Sequence, residues 1–262
     1  FASGATVQAN AQNEIGEQAT SQSILEEIIV TANKREENVQ DIPAAISALS
    51  SEALKVRGIN TAQDLQFSVP GLTMGETTLG SAQVTIRGVG TENVNAGGDP
   101  GVPMHVDGHY IQFPSYMLQD FLDVARIEVQ RGPQGTLYGR NAVGGNINIV
   151  TNRPADEFEA ELGLDLGNYN KRQITGVISG PLTDGLRARV AFSDEERDGF
   201  VENISPFAND DELLGSDYTS VRASLEYDLT DNIEVFLSGY HYNDDSISYV
   251  QRIVGDYPTG GF

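Results

Sequence analysis

Hydrophobic and polar positions change rhythm once along this chain, near Pro154. Beyond it the alternation is long and strict. Phe158, Ala160, Leu162, Leu164 and Leu166 are apolar; Glu159, Glu161, Gly163, Asp165 and Gly167 between them are polar or small. That is period two over about ten residues, the length and pattern of a strand with one oily and one wet face. Residues 171–180 answer it more loosely. Leu186, Ala188, Val190 and Phe192 alternate with Arg187, Arg189, Ala191 and Ser193. Val221, Ala223, Leu225 and Tyr227 alternate with Arg222, Ser224 and Glu226, and residues 233–246 make a further strand. Residues 181–185 and 229–232 read as tight turns, and 194–217 as a long acidic loop. Aliphatics on one face of long strands and charges on the other suit lipid outside and a wet lumen inside.

Before Pro154 the pattern predicts a small α+β domain of strands, short helices and long loops. Residues 39–50 read as a strand whose Ile42-Pro43 pair belongs at an edge or a start. Ser50-Ser51-Glu52-Ala53-Leu54 opens a short helix with a serine cap. Thr61-Ala62-Gln63-Asp64 has capping-box form and opens a second. Strands are predicted at 83–87 and 103–111. Residues 126–151 organise the domain. Ile127 and Val129 point one way, Glu128 and Gln130 the other; then Gly132-Pro133-Gln134-Gly135 breaks the strand, and Gly144-Gly145 leads into another at 146–151. A glycine-rich crossing of this kind lets backbone pass close to backbone, or to a ligand.

The run Gly132-Pro133-Gln134-Gly135-Thr136-Leu137-Tyr138-Gly139, followed by Ala142 and Gly144-Gly145-Asn146-Ile147, resembles the end of the plug domain of TonB-dependent outer-membrane receptors. Ile86-Arg87-Gly88 fits the same pattern, and the likeness covers roughly residues 27–256. It implies an α+β plug domain followed by the start of an antiparallel transmembrane β-barrel in the bacterial outer membrane. The family barrel has about 22 strands, of which about five are visible here. The implied organisation is a signal-peptide remnant and disordered tail at 1–25, a TonB box at 26–32, the plug at 33–153 and the first barrel strands at 154–262. Ala9-Asn10-Ala11 before Gln12 has the small-x-small form of a cleavage site.

Site residues follow from the resemblance. Glu27, Ile28, Ile29, Val30 and Thr31 match the TonB box, a disordered β-branched segment that adds as a strand to the periplasmic domain of TonB. Asn93, Asn95, Asp99, His109, Tyr110, Phe113 and Tyr116 lie on loops that face the outer vestibule in the family and touch substrate there. Arg87 and Arg131 resemble plug arginines that latch onto acids of the barrel. The implied activity is TonB-dependent uptake of a scarce solute, first an iron–siderophore complex, otherwise haem, cobalamin or an oligosaccharide. A passive porin is the rival from another class.

Composition narrows this further. There are 38 acidic against 16 basic residues, a net charge of −22, which argues against a nucleic-acid partner. Cysteine is absent, which removes disulfides and cysteine-based zinc sites. No apolar run of about 18 residues offers a membrane-crossing helix, a fact that leaves barrels untouched. His105, Asp107 and His109 share parity on one strand, so all three could face one way, the convergence that metal ligation needs, though two incidental histidines on a strand are the favoured reading. No nucleophile–base–orienter arrangement is found, and Gly88-Val89-Gly90 lacks the third glycine of a dinucleotide loop. The expectation is a non-enzyme without metal or cofactor.

Overall fold

The computed structural model describes residues 29–30, 37–38, 42, 44–77, 81–91, 99–112, 114–202, 212–230 and 232–246. The tail at 1–25, and Glu27, Ile28, Thr31, Asn93, Asn95 and Phe113, lie outside these residues.

The chain begins with two-residue strands β1 (Ile29–Val30) and β2 (Glu37–Asn38), paired antiparallel. The disorder expected of the box segment therefore does not extend to Ile29 and Val30. Val30 is fully buried with Ile42 against Ile46 and Ala48, a small apolar contact that outweighs the exposed pairing edge. Strand β3 (Ala45–Ser50) starts later than the pattern suggested, just beyond Pro43, which has no N–H to give a ladder. Helix α1 (Ser51–Arg57) opens on the Ser50 cap, whose hydroxyl accepts from Ala53 N at 3.4 Å, and closes on Gly58 in the left-handed region. The second short helix is 3₁₀, Gln63–Phe67. Its capping box is reciprocal: Asp64 N donates to Thr61 Oγ1 at 3.3 Å, and Thr61 N donates to Asp64 Oδ2 at 2.9 Å.

Strands β4 (Leu72–Glu76), β5 (Ala82–Ile86) and β6 (Val89–Gly90) form a three-stranded sheet. Strands β7 (Met104–Val106) and β8 (His109–Tyr110) form a hairpin turned by Asp107-Gly108, both at positive φ. This corrects the single strand expected over 103–111: an Asp-Gly pair favours the type I′ turn, which breaks the strand although the alternation continues across it. A 3₁₀ turn, Pro114–Leu118, precedes β9 (Val124–Arg131), α2 (Gly135–Tyr138) and β10 (Gly145–Thr151). The main sheet runs β3-β9-β10-β7-β8, with β10 parallel to β7 and antiparallel to β9. One face of it, carrying Leu49, Ile127, Val129 and Ile147, joins Leu54, Leu65, Ile86 and Met117 in the core.

The second unit is an open sheet of five antiparallel strands. They are β11 (Glu159–Leu166), β12 (Arg172–Thr183), β13 (Leu186–Arg197), β16 (Ser216–Thr230) and β17 (Ile233–Asp244); a small hairpin, β14 (Val201–Glu202) and β15 (Glu212–Leu213), caps the long connection. Three boundaries differ from expectation, the first being that β16 runs through Leu229 and Thr230 into the turn expected at 229–232. Strand β12 absorbs Pro181 and Leu182 through a register shift, so the turn is only Asp184-Gly185. A bulge tolerates a proline that a regular ladder would reject. Strands β13 and β16 extend into the acidic stretch, where Arg197 pairs with Ser216 and Glu196 with Asp217. The two faces differ as the alternation requires. Leu162 is 78% exposed and Leu164, Ile178, Leu225 and Leu237 are also exposed on the outer face, whereas Ser179, Arg189, Ser193, Ser220, Arg222, Ser224 and Glu226 are buried against the domain.

Candidate functional site

The domain meets the inner face of the long-stranded sheet along a seam held by ion pairs. Asp123, at positive φ just ahead of β9, accepts from Arg189 Nε and Nη2, both at 2.7 Å. The pair is bidentate and withdrawn from water: the Asp123 side chain is 3% exposed and that of Arg189 10%. Asn152 Nδ2 adds a 2.8 Å bond to Asp123, and Glu159 gives Arg189 a second carboxylate at 3.3 Å. One turn residue supplies the next anchor. Asp107 accepts from Thr151 N at 2.9 Å, from Thr151 Oγ1 at 2.7 Å and from Arg222 Nη2 at 2.8 Å, and Arg222 also donates to the Thr151 hydroxyl. Where the chain leaves the domain, Arg153 reaches Glu226 at 2.9 Å and Glu234 at 3.2 Å, and its guanidinium lies 3.9 Å from the Phe236 ring centroid. Lys55–Glu161, 3.1 Å apart, also crosses the seam, but both side chains are exposed, so it contributes little.

Between these anchors lies a cavity of about 560 Å³. His109, Tyr116, Met117 and Phe121 line it from the domain, and Tyr240 and Tyr242 from β17, with Asp120 between the two sides. Tyr242 stacks on both Tyr218, at 5.8 Å between centroids, and Tyr240, at 6.4 Å. The site offers flat amphipathic rings, two carboxyls, Asp107 and Asp120, and an apolar floor, chemistry suited to holding a solute.

Burial pushes the Asp120 carboxyl up from an ordinary 3.8 to about 6. The Tyr218 hydroxyl and Lys171 oppose the shift; Glu195 and Asp64 add to it. A carboxyl whose folded value is raised gives its full contribution below the unfolded value and loses it as pH rises through the folded one. Charging Asp120 in place should therefore weaken the seam between about pH 4 and pH 6. Asp120→Asn should be more stable than the parent at pH 7 by roughly 1–3 kcal/mol, with the gap closing near pH 4. Thermal melts of the detergent-solubilised protein across that range check this; a gap independent of pH would contradict it.

Of the residues singled out from sequence, His109 and Tyr116 come together on the cavity. Tyr110 lies nearby on β8 and accepts from Asn141 at 3.4 Å, while Asp99 pairs with Arg140 at 2.9 Å on the exposed surface. His105 and His109 sit on different strands of the hairpin, so the shared parity does not bring them together. His105 is buried, its Nδ1 2.7 Å from Asn146 Oδ1, and no cluster of three or more metal-ligating side chains occurs among the described residues. Arg87 occupies the turn between β5 and β6 at φ 54°, and Arg131 ends β9. Neither forms an ion pair among the described residues. The buried anchors that do cross the seam have the reverse polarity, acid on the domain and arginine on the sheet. Sequence reasoning missed Asp123, Arg189 and Arg222 as anchors, and considered Asp107 only beside His105 and His109. The available signal was an arginine at inward parity on β13 and on β16; nothing local pointed to their partners.

The sequence model of the TonB-dependent Receptor Plug Domain family matches residues 38–146. The Vitamin B12 transporter BtuB of Vibrio vulnificus is 27% identical over 237 residues, 87% of this chain and 36% of its own length. The pesticin receptor of Yersinia pestis is 30% identical over 202 residues, 75% of this chain and 29% of its own. Among solved structures, the ferric yersiniabactin uptake receptor FyuA from Yersinia pestis superposes with a TM-score of 0.69 at 27% identity, covering 76% of this chain and 31% of that one. The chain thus spans about a third of the length of these relatives. Mixed sheet, glycine-rich crossing and family match agree: residues 38–146 are a TonB-dependent receptor plug domain, and the open sheet that follows matches the barrel region of outer-membrane receptors of that kind.

Proposed function

We propose that the protein is a TonB-dependent transporter that imports an iron–siderophore complex across the outer membrane. The observation that carries this reading is the seam: a folded plug pinned to the inner face of a lipid-facing wall, with a ring-lined cavity between them. Its likeness to a ferric yersiniabactin receptor supports an iron chelate as cargo. A second reading, cobalamin, has support from the relatives named Vitamin B12 transporter. Substrate meets the outer loops, with Asn93, Asn95, Asp99, His109, Tyr110, Phe113 and Tyr116 as proposed contacts. Arg87 and Arg131 are proposed to meet acids of the wall outside the described residues. The plug is assigned to residues 33–153 and the wall to 154–262, with the TonB box at 26–32.

Energy enters through Glu27, Ile28, Ile29, Val30 and Thr31, to which TonB adds a strand from the periplasm. In the resting state β1 is paired to β2 and Val30 is buried. Exposing a buried valine costs about 1.5–3 kcal/mol, so the segment must be released before it is captured. Pulling it then rearranges the plug and lets the solute pass.

The test is Ile28→Pro and Val30→Pro. Proline removes a ladder donor and the geometry of strand addition. Uptake of ferric siderophores and cobalamin, assayed as a panel in cells carrying the receptor, should fall to the level of cells lacking TonB, while binding to whole cells persists. Unchanged accumulation in either variant would defeat the transporter reading and favour a passive pore.

A further inference from the structure

The main sheet of the plug has two buried faces of opposite character. On one, Ile127, Val129, Ile147 and Met104 form the apolar core. On the other, cross-strand register aligns Ile46 and Ala48 of β3, Gln130 and Glu128 of β9, Asn146 and Asn148 of β10, and His105 of β7. The polar members of that row are as inaccessible as the core: Glu128 0%, Gln130 1%, Asn146 0%, Asn148 5% and His105 7%.

They bond to one another. Glu128 accepts from Arg126 at 2.9 Å and from Asn148 at 3.3 Å; His105 Nδ1 lies 2.7 Å from Asn146. Gln130 donates to the Tyr138 hydroxyl at 3.1 Å. Asn146 Nδ2 is buried with no hydrogen-bond partner among the described residues.

A sheet that stays covered on both faces ordinarily carries apolar residues on both. A buried polar group left without a partner costs about 1–3 kcal/mol, a cost that falls here on Asn146, and even a bonded polar row gains little over apolar groups of the same shape in permanent interior. The balance reverses if the face is wetted during the working cycle. Uncovering apolar surface costs about 25 cal/mol per Å², whereas amides and carboxylates regain hydration. The cover points the same way. Tyr138 of α2 stands over the row, its ring 5.2 Å from that of His105. Val30 of β1 and Ile42 pack on Ile46 and Ala48 at its β3 end. Part of the cover is thus the very segment through which the pull is proposed to act.

We propose that this polar face lines the solute's route through the plug. When β1 is drawn away, water and a solute bearing its own hydrogen-bond donors and acceptors move along His105, Asn146, Asn148, Glu128 and Gln130. The opposite face keeps its apolar packing, and the sheet stays folded. The row is electrically balanced, its one carboxylate being paired with Arg126, so it suits a neutral or zwitterionic polar solute better than a strongly charged one. The inference rests on the transport reading above.

The test uses the absence of native cysteine. Asn148→Cys and Ile147→Cys place a thiol on opposite faces of one strand; Gln130→Cys and Val129→Cys repeat the comparison on β9, in case either β10 variant fails to fold. Cells carrying each variant are supplied with the siderophore and cobalamin panel and treated with a small cationic thiosulfonate, with and without an uncoupler of the proton-motive force. Modification at 148 and 130 should rise about tenfold or more in energised cells, and at 147 and 129 by less than about twofold. Equal rises on both faces would mean that the sheet unfolds or leaves whole, and would overturn the proposal. Solute accumulation without a rise at 148 or 130 would overturn it too. No accumulation of any panel solute by the unaltered receptor would instead sink the transport reading, and this inference with it.

Discussion

Replacing Arg189 by alanine should cost the plug–wall seam about 3–5 kcal/mol, because it strands a buried carboxylate. Asp123 is nearly inaccessible and receives both guanidinium bonds from Arg189; only Asn152 would remain to satisfy it. The pair's own net worth is smaller than the cost of breaking it, since two charges were desolvated to form it. Replacing both partners should therefore cost less than replacing one: Asp123→Ala with Arg189→Ala should recover much of the stability lost by Arg189→Ala alone. Lys55→Ala sits on the same seam, but its pair with Glu161 is exposed, and it should cost no more than about 1 kcal/mol. Thermal melts of the solubilised receptor give the energies, and sensitivity of cells to a bulky antibiotic reports a loosened plug. If Arg189→Ala behaved like Lys55→Ala, the seam would not be what holds this part of the plug.

Gly144→Ala and Gly145→Ala should be the two most damaging single methyl additions in the glycine-rich crossing. A Cβ on Gly144 would lie under 3.0 Å from the Val89 carbonyl oxygen, and the same atom on Gly145 would press on the Gln130 carbonyl oxygen. Both neighbours are backbone and cannot swing aside. The crossing is stitched in place: Val143 N and Gly144 N both donate to Gly101 O, at 3.1 and 3.0 Å, and Gly132 N donates to Gly144 O at 2.9 Å. Relief would require breaking that stitch or separating β6 from the main sheet, a cost of about 1–3 kcal/mol or more. Gly135→Ala is the control, because a Cβ there meets nothing within 4 Å. Loss of folded receptor in the outer membrane for Gly144→Ala but not Gly135→Ala is the expected result. Equal tolerance would mean that the crossing needs glycine for something other than close backbone approach.

Much of this was readable along the chain because it depends on neighbours in sequence. Period two over 158–166 marks a strand whatever it packs against, since alternate side chains point to opposite faces. The Ser50 cap and the Thr61–Asp64 box act within one turn, and both formed as their residue types require. Turn chemistry is readable too, and at Asp107-Gly108 it overrides an alternation that continues through the hairpin. At Pro181 the reverse holds: a bulge carries the strand past a residue that ordinarily ends one.

What the chain alone could not disclose was which distant groups meet. Asp123 lies 66 residues from Arg189, and Asp107 lies 115 from Arg222. A carboxylate looks the same in sequence whether it ends in solvent or under a guanidinium, because its free energy is set by what surrounds it in space. For the same reason Glu128, Gln130, Asn146 and Asn148 read as the wet side of a half-exposed sheet, whereas in the folded chain that side is interior, with Gln130 bonded to Tyr138 of α2. Local periodicity determined that there would be a small α+β domain, a glycine crossing and long strands with one apolar face. Tertiary structure decided the polarity of the seam, the resting position of Val30 and the covering of a polar face, since burial and charge pairing exist only once remote segments have been brought together.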